Sequence, residues 1–275
     1  MSDPNRTLIG LTLSLMVTTP ILFLAAFAWV FGANLLELFV PQSGTINFEG
    51  EQSAAGILVL LVQVLVAVFV EMLIGVAVIH TMLVDHSRKS WAAISATPGG
   101  RKWAYFFLSI LFGAVLVVVA LVALYFALVA GVVGGSEDEI AIASTVAICG
   151  VNLIMAIFFG LIFPAVVVDG RVRLGMAIFQ GFRRFGPLLI FLFLPTVVIS
   201  GTELWLAELA VRQGWAWQIV FTPNFVRPEV VALSVLQAVL LVVMFYMTAV
   251  ALAKVYARVP PLSGRTDTEM PEVFE

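Results

Sequence analysis

The sequence predicts an all-α integral membrane protein, a bundle of six transmembrane helices with short interfacial helices. Three observations carry that reading. Of 275 residues, 62% are hydrophobic and 11% are charged, with a mean hydropathy of +1.11. A soluble fold carries roughly 25% charged residues to face water, so soluble globular proteins, disordered chains, disulfide scaffolds and nucleic-acid binders are excluded as classes. Six stretches meet or approach the run of about 20 apolar residues that crosses hydrocarbon. Finally, runs such as Leu58 to Val70 and Val231 to Val243 lack the apolar/polar alternation of a membrane barrel strand.

In chain order the spans fall at 8–38, 55–84, 103–133, 140–168, 186–204 and 229–256. Arg6 before a long apolar run has the look of a secretory signal, but apolar character continues to Val40, far beyond a signal's short core. A retained first helix with a kink at Thr18-Thr19-Pro20 is expected. Pro195 and the run from Ser200 to Glu203 interrupt the fifth span. Residues 1–258 make up the transmembrane domain, and 259–275 a polar cytoplasmic tail. The lone Cys149 lies in an apolar run and is expected to pack as a small hydrophobe.

Charge orders the spans. Twelve of the 14 Lys and Arg residues fall at the chain ends, after span two or after span four, leaving Arg212 and Arg227 on the other side. Glu49, Glu51, Glu137, Asp138 and Glu139 mark the alternate loops. Because short cytoplasmic loops accumulate Lys and Arg, both termini are expected in the cytoplasm of a bacterial-type inner membrane.

The segments 82–107 and 166–191 share an order: Val-Asp, basic positions, a short amphipathic stretch, a basic pair and an aromatic-led helix. Val84-Asp85 aligns with Val168-Asp169 and Ala93-Ile94 with Ala177-Ile178, while Arg101-Lys102 matches Arg183-Arg184 only after a small slip. The end of span six, with Lys254, Tyr256 and Arg258, adds a third unit. A parallel repeat and the common need of cytoplasmic loops for cations both account for this. From Val172 to Phe185, Leu174, Met176, Phe179 and Phe182 form the apolar face of an interfacial helix. Arg173, Arg183, Arg184, Arg101 and Lys102 are the expected contacts to anionic lipid headgroups.

The run from Phe159 to Gly170, with Pro164 near its middle and Asp169 near its end, precedes a short amphipathic helix, a basic pair and a further span. In this it resembles stand-alone six-helix bacterial inner-membrane proteins, related to the membrane region fused to some glycerophosphodiester phosphodiesterases. The resemblance covers the second half of the chain, and the first half by topology. It implies a six-helix membrane fold; with no phosphodiesterase domain in the chain, it carries no catalytic residue across.

Glu71 lies 14 residues before Asp85, about 21 Å along a helix and so near mid-membrane. An acidic group there costs several kcal/mol unless paired, hydrated or protonated. Ala67 and Gly75 flank it at i−4 and i+4, a notched face that should meet a neighbouring helix. Asn152, Tyr246, Ser200 and Thr18 or Thr19 reach a similar depth, with Asn152 the expected partner in a hydrogen-bonded layer. A proton or substrate site and a structural interhelical link remain the two readings. Ala123, Ala127, Gly131 and Gly135 form a small-residue ladder for helix packing within the bundle or between copies. Trp205, Trp215, Trp217, Phe221 and Phe225 suit an aromatic belt or the docking surface of an outer partner.

His80, Asp85 and His86 do not make a metal site, because three convergent ligands are wanting. No catalytic motif, metal or cofactor is expected. The expected function is non-enzymatic: an accessory, assembly or envelope-maintenance component whose partners are membrane lipids and a membrane protein or second copy. The alternative is a small transporter or permease subunit built around Glu71.

Overall fold

The computed structural model describes residues 7–39, 54–132, 137–199, 201–202, 205–206 and 228–259. These residues are helical between short turns, with no strand among them. Four helical stretches are long and apolar enough to cross a membrane: Leu61–Leu83, Gly99–Val129, Ile142–Asp169 and Val231–Tyr256. Two bent pairs bring the number to as many as six.

The first bent pair corrects the kinked helix expected at 8–38. Helix α1 (Leu8–Thr18) begins where the Thr7 hydroxyl accepts the Gly10 N–H at 3.2 Å, a side-chain N-cap. It ends at Thr19, whose hydroxyl turns back to the Leu15 carbonyl at 2.8 Å. Pro20, which has no N–H to lose, then opens α2 (Pro20–Phe39). The two axes differ by 92°, a corner in place of a kink.

The same construction recurs. After α3 (Ala54–Leu83) comes the short α4 (Trp91–Ala96), closed by Thr97, whose hydroxyl accepts no helix N–H but donates to the Ala93 carbonyl at 3.0 Å. Pro98 then caps α5 (Gly99–Val129). After α6 (Glu137–Phe159) and α7 (Ile162–Asp169), α8 (Leu174–Arg183) meets α9 (Phe185–Phe193) at 89°, with Pro187 in the first turn of α9. A π-helical segment, Leu194–Ile199, continues α9 across Pro195, and α10 (Pro228–Tyr256) ends the described chain.

Thus the described residues follow the same order three times: a short helix, a helix with a proline at or near its start, and a returning helix. The units close into a ring. Within each, α2 packs on α3, α5 on α6 and α9 on α10; between them, α3 meets α5, α6 meets α9 and α10 meets α2. Each short helix leans on the returning helix of the preceding unit: α4 on α3, α8 on α6, and α1 on α10. The sequence pattern predicts two short helices between spans and places 8–38 in a single span; α1 is a third short helix, bent away from α2.

The interrupted alignment also has a structural cause. Ala93 and Ala177, each eight residues after its Asp, are both fully buried. However, α8 has 10 residues against 6 in α4. Arg101 and Lys102 therefore lie inside α5, whereas Arg183 and Arg184 precede α9, and the basic pairs are not equivalent.

The core gathers where α3, α7 and α10 meet. Val70 to Met82, Leu161 to Val167 and Val242 to Val255 supply most of its buried apolar side chains. Away from this end α5 is lined by exposed residues, among them Val118, Leu121, Tyr125 and Phe126. The helix stops at Val129, and Gly131 sits in the following turn at φ 68°, a left-handed conformation suited to glycine. Gly131 is thus off the helical ladder, Ala123 is exposed and Ala127 half-buried; Gly135 lies outside the described residues.

Candidate functional site

Glu71 is half-buried on α3, and its neighbours come from α5. The Ser109 hydroxyl stands beside the Glu71 carboxyl without the geometry of a complete hydrogen bond, and is itself buried with no other partner. Four residues earlier, one turn along α5, Tyr105 is 3% exposed and lies against Gly75 so closely that a Cβ there would overlap its phenol. The notch one turn from Glu71 is therefore filled by an aromatic ring. Phe163 of α7 packs on that ring at 4.8 Å between centroids, and Phe112 on Phe163 at 5.9 Å.

The expected pairing with Asn152 does not form. Asn152 is half-buried on α6 and makes no side-chain hydrogen bond among the described residues. Tyr246 does bind a residue expected at its depth: its hydroxyl and that of Thr19 lie 2.9 Å apart, both side chains buried. The polar groups therefore make two separate contacts, Glu71–Ser109 between α3 and α5 and Thr19–Tyr246 between α1 and α10, in place of one continuous layer. Ser200 lies outside the described residues. Ser109 was missed as a partner because one serine in a long apolar helix has no distinguishing spacing; counting 38 positions from Glu71 across a loop does not place it.

The basic residues converge at one end of the bundle. Arg101 donates from one guanidinium nitrogen to the carbonyls of Val167 and Val168, both at 2.8 Å. These are among the last carbonyls of α7, which lack partners within the helix. Gly170 completes this end in a left-handed conformation, and Arg101 lies so close that a Cβ at Gly170 would come within 2.9 Å of its Nε. Lys102 donates to the Ile94 carbonyl at 3.2 Å, in the last turn of α4. Arg184 donates to the Arg258 carbonyl just beyond α10. Three of the five residues expected at lipid headgroups thus serve helix C-termini, where cations also meet the negative end of the helix dipole.

Acidic and aromatic groups complete this end. The Tyr256 hydroxyl donates to Asp169 at 2.9 Å, tying α10 to α7. Asp85 accepts the Ser87 hydroxyl at 2.6 Å and the Ser87 N–H at 2.9 Å, and pairs with Arg88 at 3.0 Å. Chiefly the Ser87 hydroxyl, then its N–H, hold the Asp85 carboxyl below its ordinary range. Lys254 lies over the Phe191 ring, 5.3 Å from its centre, a cation–π contact.

On α8 three of the four expected apolar residues are largely exposed, although the Phe182 ring also packs on Phe158 of α6 at 4.7 Å, and Met176 is half-buried. Leu174, Phe179 and Phe182 are 53%, 63% and 68% exposed, whereas Ala177, Gln180 and Gly181 are buried. Gly181 makes the close seat: a Cβ there would approach the Ile157 carbonyl of α6 to 2.7 Å. Arg183 is exposed on the outward side and Arg173 half-buried. The outer aromatic cluster is described only at Trp205, which is 58% exposed. No family model, curated protein or solved structure matches this chain.

Proposed function

We propose that this chain is a six-span protein of a bacterial-type inner membrane, with both termini and the basic end in the cytoplasm. It acts as a non-enzymatic accessory or envelope-maintenance component whose work is packing with lipid and protein partners. In this reading α2, α3, α5, α6–α7, α9 with its π-helical extension, and α10 cross the bilayer. Helices α1, α4 and α8 lie at the cytoplasmic interface, and 259–275 form a polar tail. The resemblance to stand-alone six-helix inner-membrane proteins is part of this proposal.

The observation that carries it is the filled space below Glu71. Tyr105 occupies the Gly75 notch and is backed by Phe163, leaving packed aromatic surface where a transporter would need a path toward the basic end. The outward face of α8, three large apolar side chains beside Arg183, suits headgroup-level lipid contact. Purified protein in proteoliposomes, carrying an internal pH dye and an imposed gradient, tests the reading. No flux above empty vesicles is expected from the native chain. A flux that Glu71→Gln abolishes, with folding retained, would overturn the proposal in favour of a transporter centred on Glu71.

A further inference from the structure

The three junctions between a short helix and the helix that follows it differ in charge. At the first, no charged residue occurs from Thr7 to Ala33. At the second, Arg101 and Lys102 donate to the carbonyls of α7 and α4. At the third, between α8 and α9, Arg183 is exposed, and a second exposed cation, Arg258, arrives from the end of α10. Arg184, half-buried, holds the two chain segments together through its bond to the Arg258 carbonyl. Burial first, and then the like charges of Arg183 and Arg258, keep the Arg184 guanidinium below its ordinary value. Lys254, one turn before Arg258, lies over the Phe191 ring of α9. Arg183, Arg184 and Arg258 form no ion pair among the described residues, where Asp85 is engaged by Arg88 and Asp169 by the Tyr256 hydroxyl. Like charges gathered without a counter-ion repel one another, and an anion relieves that repulsion.

Apolar groups at the same junction indicate which anion. Phe179, one turn before Arg183, is exposed, as are Phe182 and Phe185, although both of these also touch Phe158. Exposed rings beside exposed arginines suit the boundary between headgroups and acyl chains. We propose that the α8–α9 junction binds the phosphodiester of an anionic phospholipid in the cytoplasmic leaflet, with Arg183 and Arg258 on the phosphate and the three phenylalanines along the acyl chains. The inference rests on the membrane placement proposed above and deepens it, by assigning lipid contact to one junction and one class of headgroup. A zwitterionic headgroup matches less well, because the cations that attract its phosphate repel its ammonium. A soluble phosphate meets the charges but makes no use of the rings.

Native mass spectrometry of the full chain in detergent, titrated with lipid, tests the site. Dioleoylphosphatidylglycerol should bind about tenfold more tightly than dioleoylphosphatidylethanolamine, which has the same acyl chains. Arg183→Gln combined with Arg258→Gln should remove most of that preference. Arg88→Gln combined with Lys89→Gln takes the same charge from the turn after α3 and should retain it. Inorganic phosphate in excess should not displace the phosphatidylglycerol. Equal binding of the two lipids, equal losses in the two pairs of variants, or displacement by phosphate would each overturn the inference. So would a preference that appears only with Asp267→Asn, Glu269→Gln, Glu272→Gln and Glu275→Gln together, which would assign the cations to the chain's own acidic tail. A proton flux through Glu71 would overturn the proposed function and leave this lipid preference untouched, so the two fail independently.

Discussion

The two ends of this bundle are built from the same kind of helix but solved differently. At the basic end, α3, α7 and α10 meet in a buried core, and helix termini are tied by Arg101, Lys102, Arg184 and the Tyr256–Asp169 bond. Toward the other end, large apolar side chains on α3 and α5 are open, and among the four unbroken stretches α5 is the least buried. The difference teaches where specificity resides. Apolar surface gains nothing from leaving lipid for another apolar helix, so packing shape and polar contacts decide which helices stay together; here both concentrate at the basic end.

Gly75→Leu is the strongest way to break that contrast. The added side chain must enter the space of the Tyr105 ring, and overpacking of this kind costs about 3 kcal/mol or more. Loss of a monodisperse peak in size-exclusion chromatography is expected, while Gly113→Leu, whose Cβ meets nothing within 4 Å, should elute as the native chain. Next in size, Arg101→Met strips the α7 carbonyls of a charged donor and should lower stability by about 2 kcal/mol; Arg101→Lys should recover part of it, because a lysine cannot reproduce the guanidinium geometry. Thermal unfolding in detergent would read both. Tyr246→Phe removes only the bond to Thr19 and should cost about 1 kcal/mol, loosening α1 first, as amide hydrogen exchange along α1 would show.

The smallest effect concerns Asp85. Its carboxyl is held below the ordinary range in the folded chain, so its contribution is present above the unfolded pKa and is lost as pH falls through the folded one. The group lies half-exposed in a surface turn, so Asp85→Asn should flatten the acid side of a stability-against-pH curve only slightly. A large change there would mean that the turn at Ser87 supports more of the basic end than its exposure implies.

How much was legible in the residues follows the same division. The long apolar helices, the two surface helices after the second and fourth runs and the Gly75 notch were readable, because hydropathy and small-residue spacing report burial directly. The corner at Thr19-Pro20 was underestimated: a proline in an apolar run signals a break, but not its angle. Glu71 stands out in composition, but the pairing with Asn152 expected from it does not form; Ser109 lies beside it instead. Depth counting equates residues at one level on all helices, whereas a contact also depends on which helices are adjacent and how each is rotated. Arg101, Lys102 and Arg184 looked like lipid-facing cations because a sequence shows charge, not the unsatisfied carbonyls that a fold brings to meet it.

The seat of α1 on α10 has a consequence in time. Among the described helices, the one synthesised earliest leans on the one synthesised latest, and Thr19 must wait for Tyr246, more than two hundred residues later in the chain. During translation the first two units can assemble with their own returning helices, but the ring has no closing member until α10 emerges. A nascent chain stalled before that point would leave α1 unseated, a form that quality-control proteases could distinguish from the finished protein.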